Sequence, residues 1–151
     1  MRLAFLPAHM PLPVRDAEMA VPHTIATRWL ALWNGDMAAL EDIVAEGVVT
    51  HADLVGQVAE VPMVGRTVLG RWIGHMHAAM PGLRFSVEVG PLVDGDLIAL
   101  RWRVQGDHHA ARLSFTGTDV LRVEGDRIVE YWVNSDTALM MAQIKAGMLQ
   151  A

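Results

Sequence analysis

The chain has 151 residues, a formal charge of −5 and no cysteine. That length fits one domain, and an apolar fraction of 52% supplies a sizeable core. No basic stripe is present to hold nucleic acid, no apolar run reaches the ~18 residues of a membrane span, and disulfides, thiolate nucleophiles and cysteine-ligated metals are excluded.

Residues 1–21 begin Met1-Arg2-Leu3-Ala4-Phe5-Leu6 and then meet Pro7, Pro11 and Pro13. The apolar stretch is too short and too broken by proline for a secretory signal. An irregular arm is expected here, followed by a single domain over 22–151. The lack of cysteine and of a signal fits a cytoplasmic protein. Pro22-His23-Thr24 reads as a helix entrance with Thr24 as N-cap. Ile25, Trp29, Leu32 and Trp33 follow at helical spacing, and Asn34-Gly35 ends the helix. Asp36 is placed to cap a second helix through Val44, with Leu40, Ile43 and Val44 on its buried side. Gly47 closes it, and Val48-Val49-Thr50-His51 reads as a short strand. A loop with Pro62 and Gly65 covers 52–65. A third helix is predicted over about 67–80 from the apolar stripe Leu69, Trp72, Ile73, Met76 and Met80.

The period then changes from helical to two. Phe85, Val87 and Val89 alternate with polar residues, and Asp94-Gly95 signals a turn. A strand over 97–105 puts Ile98, Leu100, Trp102 and Val104 on one face and Arg101, Arg103 and Gln105 on the other. Residues 106–110 read as a loop. Two long strands joined at Glu124-Gly125-Asp126 follow, and then a helix from about 137 to 148. Helices first, then antiparallel strands and a closing helix imply an α+β fold, a curved sheet packed on helices.

On the first of the two long strands, Leu113, Phe115, Gly117, Asp119, Leu121 and Val123 share a face. That face is apolar except for Asp119. A carboxylate in such a row is paired, held protonated, or put to use. Two readings stay open: a structural carboxylate paired with Arg101, Arg103 or a histidine, or a desolvated acid with a raised pKa.

Trp33-Asn34-Gly35-Asp36, His51, Gly106-Asp107-His108 and the run from Val123 to Trp132 with Asp136 together resemble the SnoaL-like branch of polyketide cyclases. This branch lies within the nuclear-transport-factor-2-like (NTF2-like) superfamily. The resemblance covers roughly residues 22–147. It implies a cone formed by a curved antiparallel sheet, three N-terminal helices and a C-terminal helix around a pocket, and a homodimer formed through the sheet. The branch's cyclases carry an acid/base aspartate near the end of the last strand, a position that falls on Val133 here. Asp136 matches a second aspartate of the family and also stands where it would cap the last helix. The ketosteroid isomerases of the superfamily place a base after the second helix and an aspartic acid on the penultimate strand. These positions match His51 and Asp119. The isomerase tyrosine of the first helix would fall near Trp29 or Trp33.

His51 is thus either a hydrogen-bonded strand-end histidine or a general base that needs no tuning. The expected pocket residues are Trp33, Met63, Trp72, Arg101, His108, Tyr131 and Val133. Arg101 and Arg103 form either an exposed charged face or an anion clamp. His108 and His109 sit in a loop at the expected rim. His75 and His77 are two apart on a helix and cannot chelate jointly. With no H-E-x-x-H pattern, no metal is expected, and no cofactor either. The implied chemistry is proton transfer next to the carbonyl of an apolar small molecule: His51 takes the proton, and Asp119 hydrogen-bonds the enolate oxygen. The alternative is a non-catalytic ligand-binding or dimerisation module.

Overall fold

The computed structural model describes residues 14–53 and 61–150. Three helices and two strands come first: α1 (Val14–Trp33), α2 (Ala38–Ile43), β1 (Val44–Ala52), β2 (Met63–Val64) and α3 (Arg66–Ala79). Four long strands follow, β3 (Arg84–Asp94), β4 (Leu97–His108), β5 (Ala111–Glu124) and β6 (Arg127–Ser135), and α4 (Thr137–Met148) closes the chain. The strands form one curved, unclosed six-stranded sheet in the order β2-β1-β6-β5-β4-β3. All neighbours are antiparallel except β1 and β6. This is the expected α+β architecture, an NTF2-like cone. Among the described residues, no helix is long and apolar enough to cross a membrane.

The inner face of the sheet follows the alternation read from the chain. Along β5, Ala111, Leu113, Phe115, Gly117, Asp119 and Leu121 are buried, while Arg112 and Thr118 between them are exposed. Ile98, Leu100, Trp102 and Val104 of β4 share that buried layer. The helices close it with Trp29 and Leu32 of α1 and Leu69 and Ile73 of α3, all with almost no exposed surface.

Several boundaries differ from expectation. Residues 14–21, expected within an irregular arm, form the first turns of α1; residues 1–13 lie outside the described residues. Pro22 sits inside α1. Proline removes one donor and crowds the preceding turn, but Ile25, Ala26, Trp29, Leu32 and Trp33 bury the following turns and hold the helix. Thr24 is therefore no cap. Its hydroxyl donates to the Ala20 carbonyl one turn back, at 2.9 Å, as threonine does within a helix.

Asp36 does not cap α2 either. Its carboxylate accepts from Arg28 Nη1 at 3.1 Å, and Met37 occupies the cap with no side-chain bond. The strand expected at 48–51 starts at Val44, so Gly47 lies in β1 rather than at a helix end. The pairing of β1 with β6 slips between Val44 and Val49, which absorbs that segment. The loop expected at 106–110 tightens to a turn, because β4 continues to His108 and His109 adopts φ 51°.

Helix α4 packs on β5 through Gly147. A Cβ there would stand 2.5 Å from the Ala111 Cβ, so only glycine allows this approach. Asp136 caps the helix as the sequence suggests, its Oδ1 accepting from the Leu139 amide at 3.0 Å. Asp136→Ala should cost about 1 kcal/mol of stability and Asp136→Asn much less. Urea denaturation of the three proteins checks this, and equal midpoints would remove the cap from the account.

Candidate active site

Asp119 lies on the inner face of β5, directly across from Leu100 on β4 and Val133 on β6. Three side chains from three elements converge on it. Trp29 of α1 donates its Nε1–H to Oδ2 at 2.8 Å. Trp102 of β4 donates Nε1–H to Oδ1 at 2.8 Å, and the Tyr131 hydroxyl of β6 donates to the same Oδ1 at 3.0 Å. Neither expected arginine is a partner: Arg101 and Arg103 lie on the other face of β4 and pair with Glu88.

Asp119 is 3% exposed. Burial pushes its pKa from 3.8 up to about 6, against the opposing pull of the hydrogen bonds from Trp29, Trp102 and Tyr131. Burial and then the neighbouring carboxylate raise Tyr131 well above its usual range, so it stays a donor. Oδ1 serves two donors and Oδ2 one among the described residues. Oδ2 is thus the oxygen with more room for a proton.

Asp119 forms part of the wall of a cavity of about 350 Å³. Trp33, Trp72, Phe85, Trp102, Phe115 and Tyr131 bring aromatic rings to that wall. Trp33 meets Trp72 edge-on at 5.2 Å and Phe85 at 5.3 Å, and Phe85 meets Trp102 at 5.3 Å. Met76, Met80 and Met140 fill between them. Polar groups are few besides Asp119 and Tyr131: Asp53, His75, Ser135 and Thr137. Asp53 and His75 are exposed, which puts them at the rim. An apolar hollow with few polar groups has the composition of a small-molecule site.

Of the residues expected at the pocket, Trp33, Trp72, Tyr131 and Val133 line this cavity with Asp119. His51 does not. It pairs with Trp132 on the parallel strand β6. Side chains alternate, so Tyr131 and Val133 face the cavity while His51 and Trp132 face the other side of the sheet. There the His51 ring stacks on Trp132 at 5.3 Å, and Nε2 meets Glu130 Oε1 at 2.9 Å. Glu130 also accepts from Arg122, whose guanidinium lies 5.3 Å from the Trp132 ring centre. His51, expected to take the proton beside Asp119, therefore lies on the opposite face of the sheet from the cavity.

Arg101 is also on the outer face, bonded to Thr116 Oγ1 at 3.1 Å. Met63, on the edge strand β2, packs half-buried against the core and is not part of the cavity wall. His108 ties the end of β4 to α3 through Nδ1 and the Ala79 carbonyl, at 3.0 Å.

Three residues were missed. His75 reaches the wall because it follows Trp72 by three on α3, on the same side of that helix. Trp29 and Trp102 were not expected as partners of Asp119. Their signal was present, because a buried indole N–H usually finds an acceptor, and Asp119 is the one carboxylate in the inward row of β5. His77 turns the other way and meets the Trp33 carbonyl at 2.9 Å. Among the described residues, no three His, Asp or Glu side chains gather as a metal site would require.

The folded-state pKa of Asp119 exceeds its ordinary value, so the folded protein keeps this proton to higher pH than the unfolded chain does. Stability therefore falls as pH rises from 3.8 through about 6, by about 3 kcal/mol from this group. Comparing urea unfolding of wild type and Asp119→Asn across that range isolates the effect. The wild type should lose more stability than the variant as pH rises, and parallel curves would mean that burial does not control the proton.

The SnoaL-like domain family matches residues 26–131. No curated protein matches the chain. Among solved structures, a loop-truncation variant of IdmH is 26% identical, with a TM-score of 0.71, over 82% of this chain and 98% of its own. Wild-type IdmH, a candidate polyketide cyclase from Streptomyces antibioticus, is 24% identical at the same coverage and score. A candidate polyketide cyclase from Bacillus cereus is 22% identical over 95% of this chain and 98% of its own, with a TM-score of 0.76. A protein of ketosteroid isomerase-like fold from Catenulispora acidiphila, solved with trimethylamine, is 20% identical over 79% and 90%, with a TM-score of 0.68. With most of its folded length matched by that family, the chain belongs to the SnoaL-like domain family, on the NTF2-like fold.

Proposed function

We propose that this protein is a cofactor-independent acid–base enzyme of the cyclase or isomerase type. It binds an apolar, carbonyl-bearing small molecule in the aromatic cavity. The observation that carries this reading is a single buried carboxyl in the cavity wall whose pKa, about 6, leaves both protonation states accessible near neutral pH. The family match and the likeness to candidate polyketide cyclases support a small-molecule ligand.

With His51 turned to the outer face, Asp119 works alone. As a carboxylate it takes a proton from the carbon next to the substrate carbonyl, and the C–H electron pair moves into the enolate. The proton, now on Asp119, returns to the enolate oxygen or to another carbon. A return to carbon gives isomerisation; in ring closure the enolate carbon instead bonds to a second carbonyl carbon, whose π pair moves onto its oxygen, and that oxygen takes the proton from Asp119. Tyr131 and the two indoles keep the carboxyl in one orientation throughout. Trp33 and Trp72 exclude water, which strengthens every polar contact inside. The outer face of the sheet, with Arg101, Arg103, Arg122 and Trp132, is the surface through which two copies would pair.

A second reading is a ligand-binding module without turnover. It is favoured by one observation: Val133, at the position of the family's acid/base aspartate, faces the cavity and cannot move a proton.

Assays on polyketone and cyclic enone substrates separate the two. For the enzyme, Asp119→Asn should lower kcat by about 10²- to 10⁴-fold while staying folded. His51→Ala should keep wild-type kcat, and kcat/KM should climb with pH through about 6, since the base is the ionised form. Binding of these compounds by calorimetry with no turnover at any pH would assign the module instead.

A further inference from the structure

Gly117 stands two residues before Asp119 on the same inner face of β5. Its cross-strand partners are Trp102 on β4 and Ser135 on β6. A Cβ at this position would lie 2.2 Å from Trp102 Cζ2, 2.5 Å from Cη2 and 2.8 Å from the Asn134 carbonyl oxygen. The indole thus fills the space that any other residue would need for its own side chain. Phe85 at 5.3 Å and Phe115 at 6.2 Å pack edge-on against the ring, so it has little freedom to yield. We propose that Gly117 is a positioning residue for the acid: its bare Cα is the bed on which the Trp102 indole lies, and this holds Nε1 2.8 Å from Asp119 Oδ1.

Gly117 touches no reacting atom and acts only through Trp102. A side chain here tilts the indole off its bed and takes Nε1 away from Oδ1, which keeps Tyr131 alone. A charged carboxylate loses more from a missing donor than a neutral carboxyl does, so the titration midpoint of Asp119 rises. Other ionisable groups around Asp119 leave that response legible. Trp29 from α1 and Trp102 from β4 do not titrate, and Leu100 and Val133 are apolar. Tyr131 from β6 titrates far above this range. Along the cavity wall, Asp53 and His75 are exposed at the rim.

This inference deepens the reading of Asp119 as the acid, and its test requires no substrate. A wild type without turnover would end the proposed function and leave the placement of Trp102 standing; a failed test here would leave the acid role intact. The ligand-free full chain, with its aspartate side-chain carboxyls labelled with carbon-13, is titrated by NMR, the Asp119 signal being the one absent from Asp119→Asn. The wild-type midpoint should lie near 6. Trp102→Phe should raise it by about one pH unit, Gly117→Ala should raise it similarly, and the double variant should go no higher than Trp102→Phe. A Gly117→Ala midpoint equal to wild type, or increments that add in the double variant, would overturn the proposal. If Gly117→Ala does not fold, the double variant, which lacks the clashing indole atoms, should fold. Its failure to fold would assign Gly117 to backbone contact with β6 and would also overturn the proposal.

Discussion

The carboxyl of Asp119 is held by an indole from α1, an indole from β4 and a phenol from β6. That one group therefore joins the first helix to three neighbouring strands. Trp29 and Tyr131 also meet edge-on at 4.7 Å, so the buried carboxyl and its donors sit inside an aromatic cluster. A hydrogen bond to a charged acceptor is worth about 1.5–3 kcal/mol. Three of them would ordinarily hold a carboxylate below its usual range. The pKa rises instead, so removal from water outweighs all three. The donors moderate the burial and bring the group into the range where a proton can move in both directions.

The same contest shapes the cavity. Aromatic and methionine side chains supply bulk without adding polar atoms, and the hollow they leave is closed around Asp119 and open at a rim carrying Asp53 and His75. The outer face of the sheet has the opposite character. Glu88 joins Arg101 and Arg103, and Glu130 joins His51 and Arg122. The arginine–glutamate pairs among these are partly exposed and contribute little to stability each. They set the surface chemistry of the sheet and leave the cavity one buried acid.

Much of the fold was legible in the chain because periodicity is local. The inward row of β5 with its one acid, the stripe of α3, the turn at Gly125 and the cap at Asp136 each depend on residues a few positions apart. The aromatic residues of α1 and the alternation of β4 were legible for the same reason. The boundaries that shifted depended on distant packing: α1 runs through Pro22 because its later turns are buried, and β1 starts early because β6 accepts a slipped register.

What the sequence by itself determined was an α+β chain with a carboxyl forced into an oily layer on the penultimate long strand. Alternation on one strand requires that, whatever lies opposite. Only the tertiary structure decided what surrounds the carboxyl. The parallel pairing of β1 with β6 sets which face His51 takes, and a strand's parity against its neighbour cannot be read from the strand alone. That pairing sent the imidazole outward, while the seating of α1 on the sheet and the register of β4 against β5 brought two indoles onto the carboxyl.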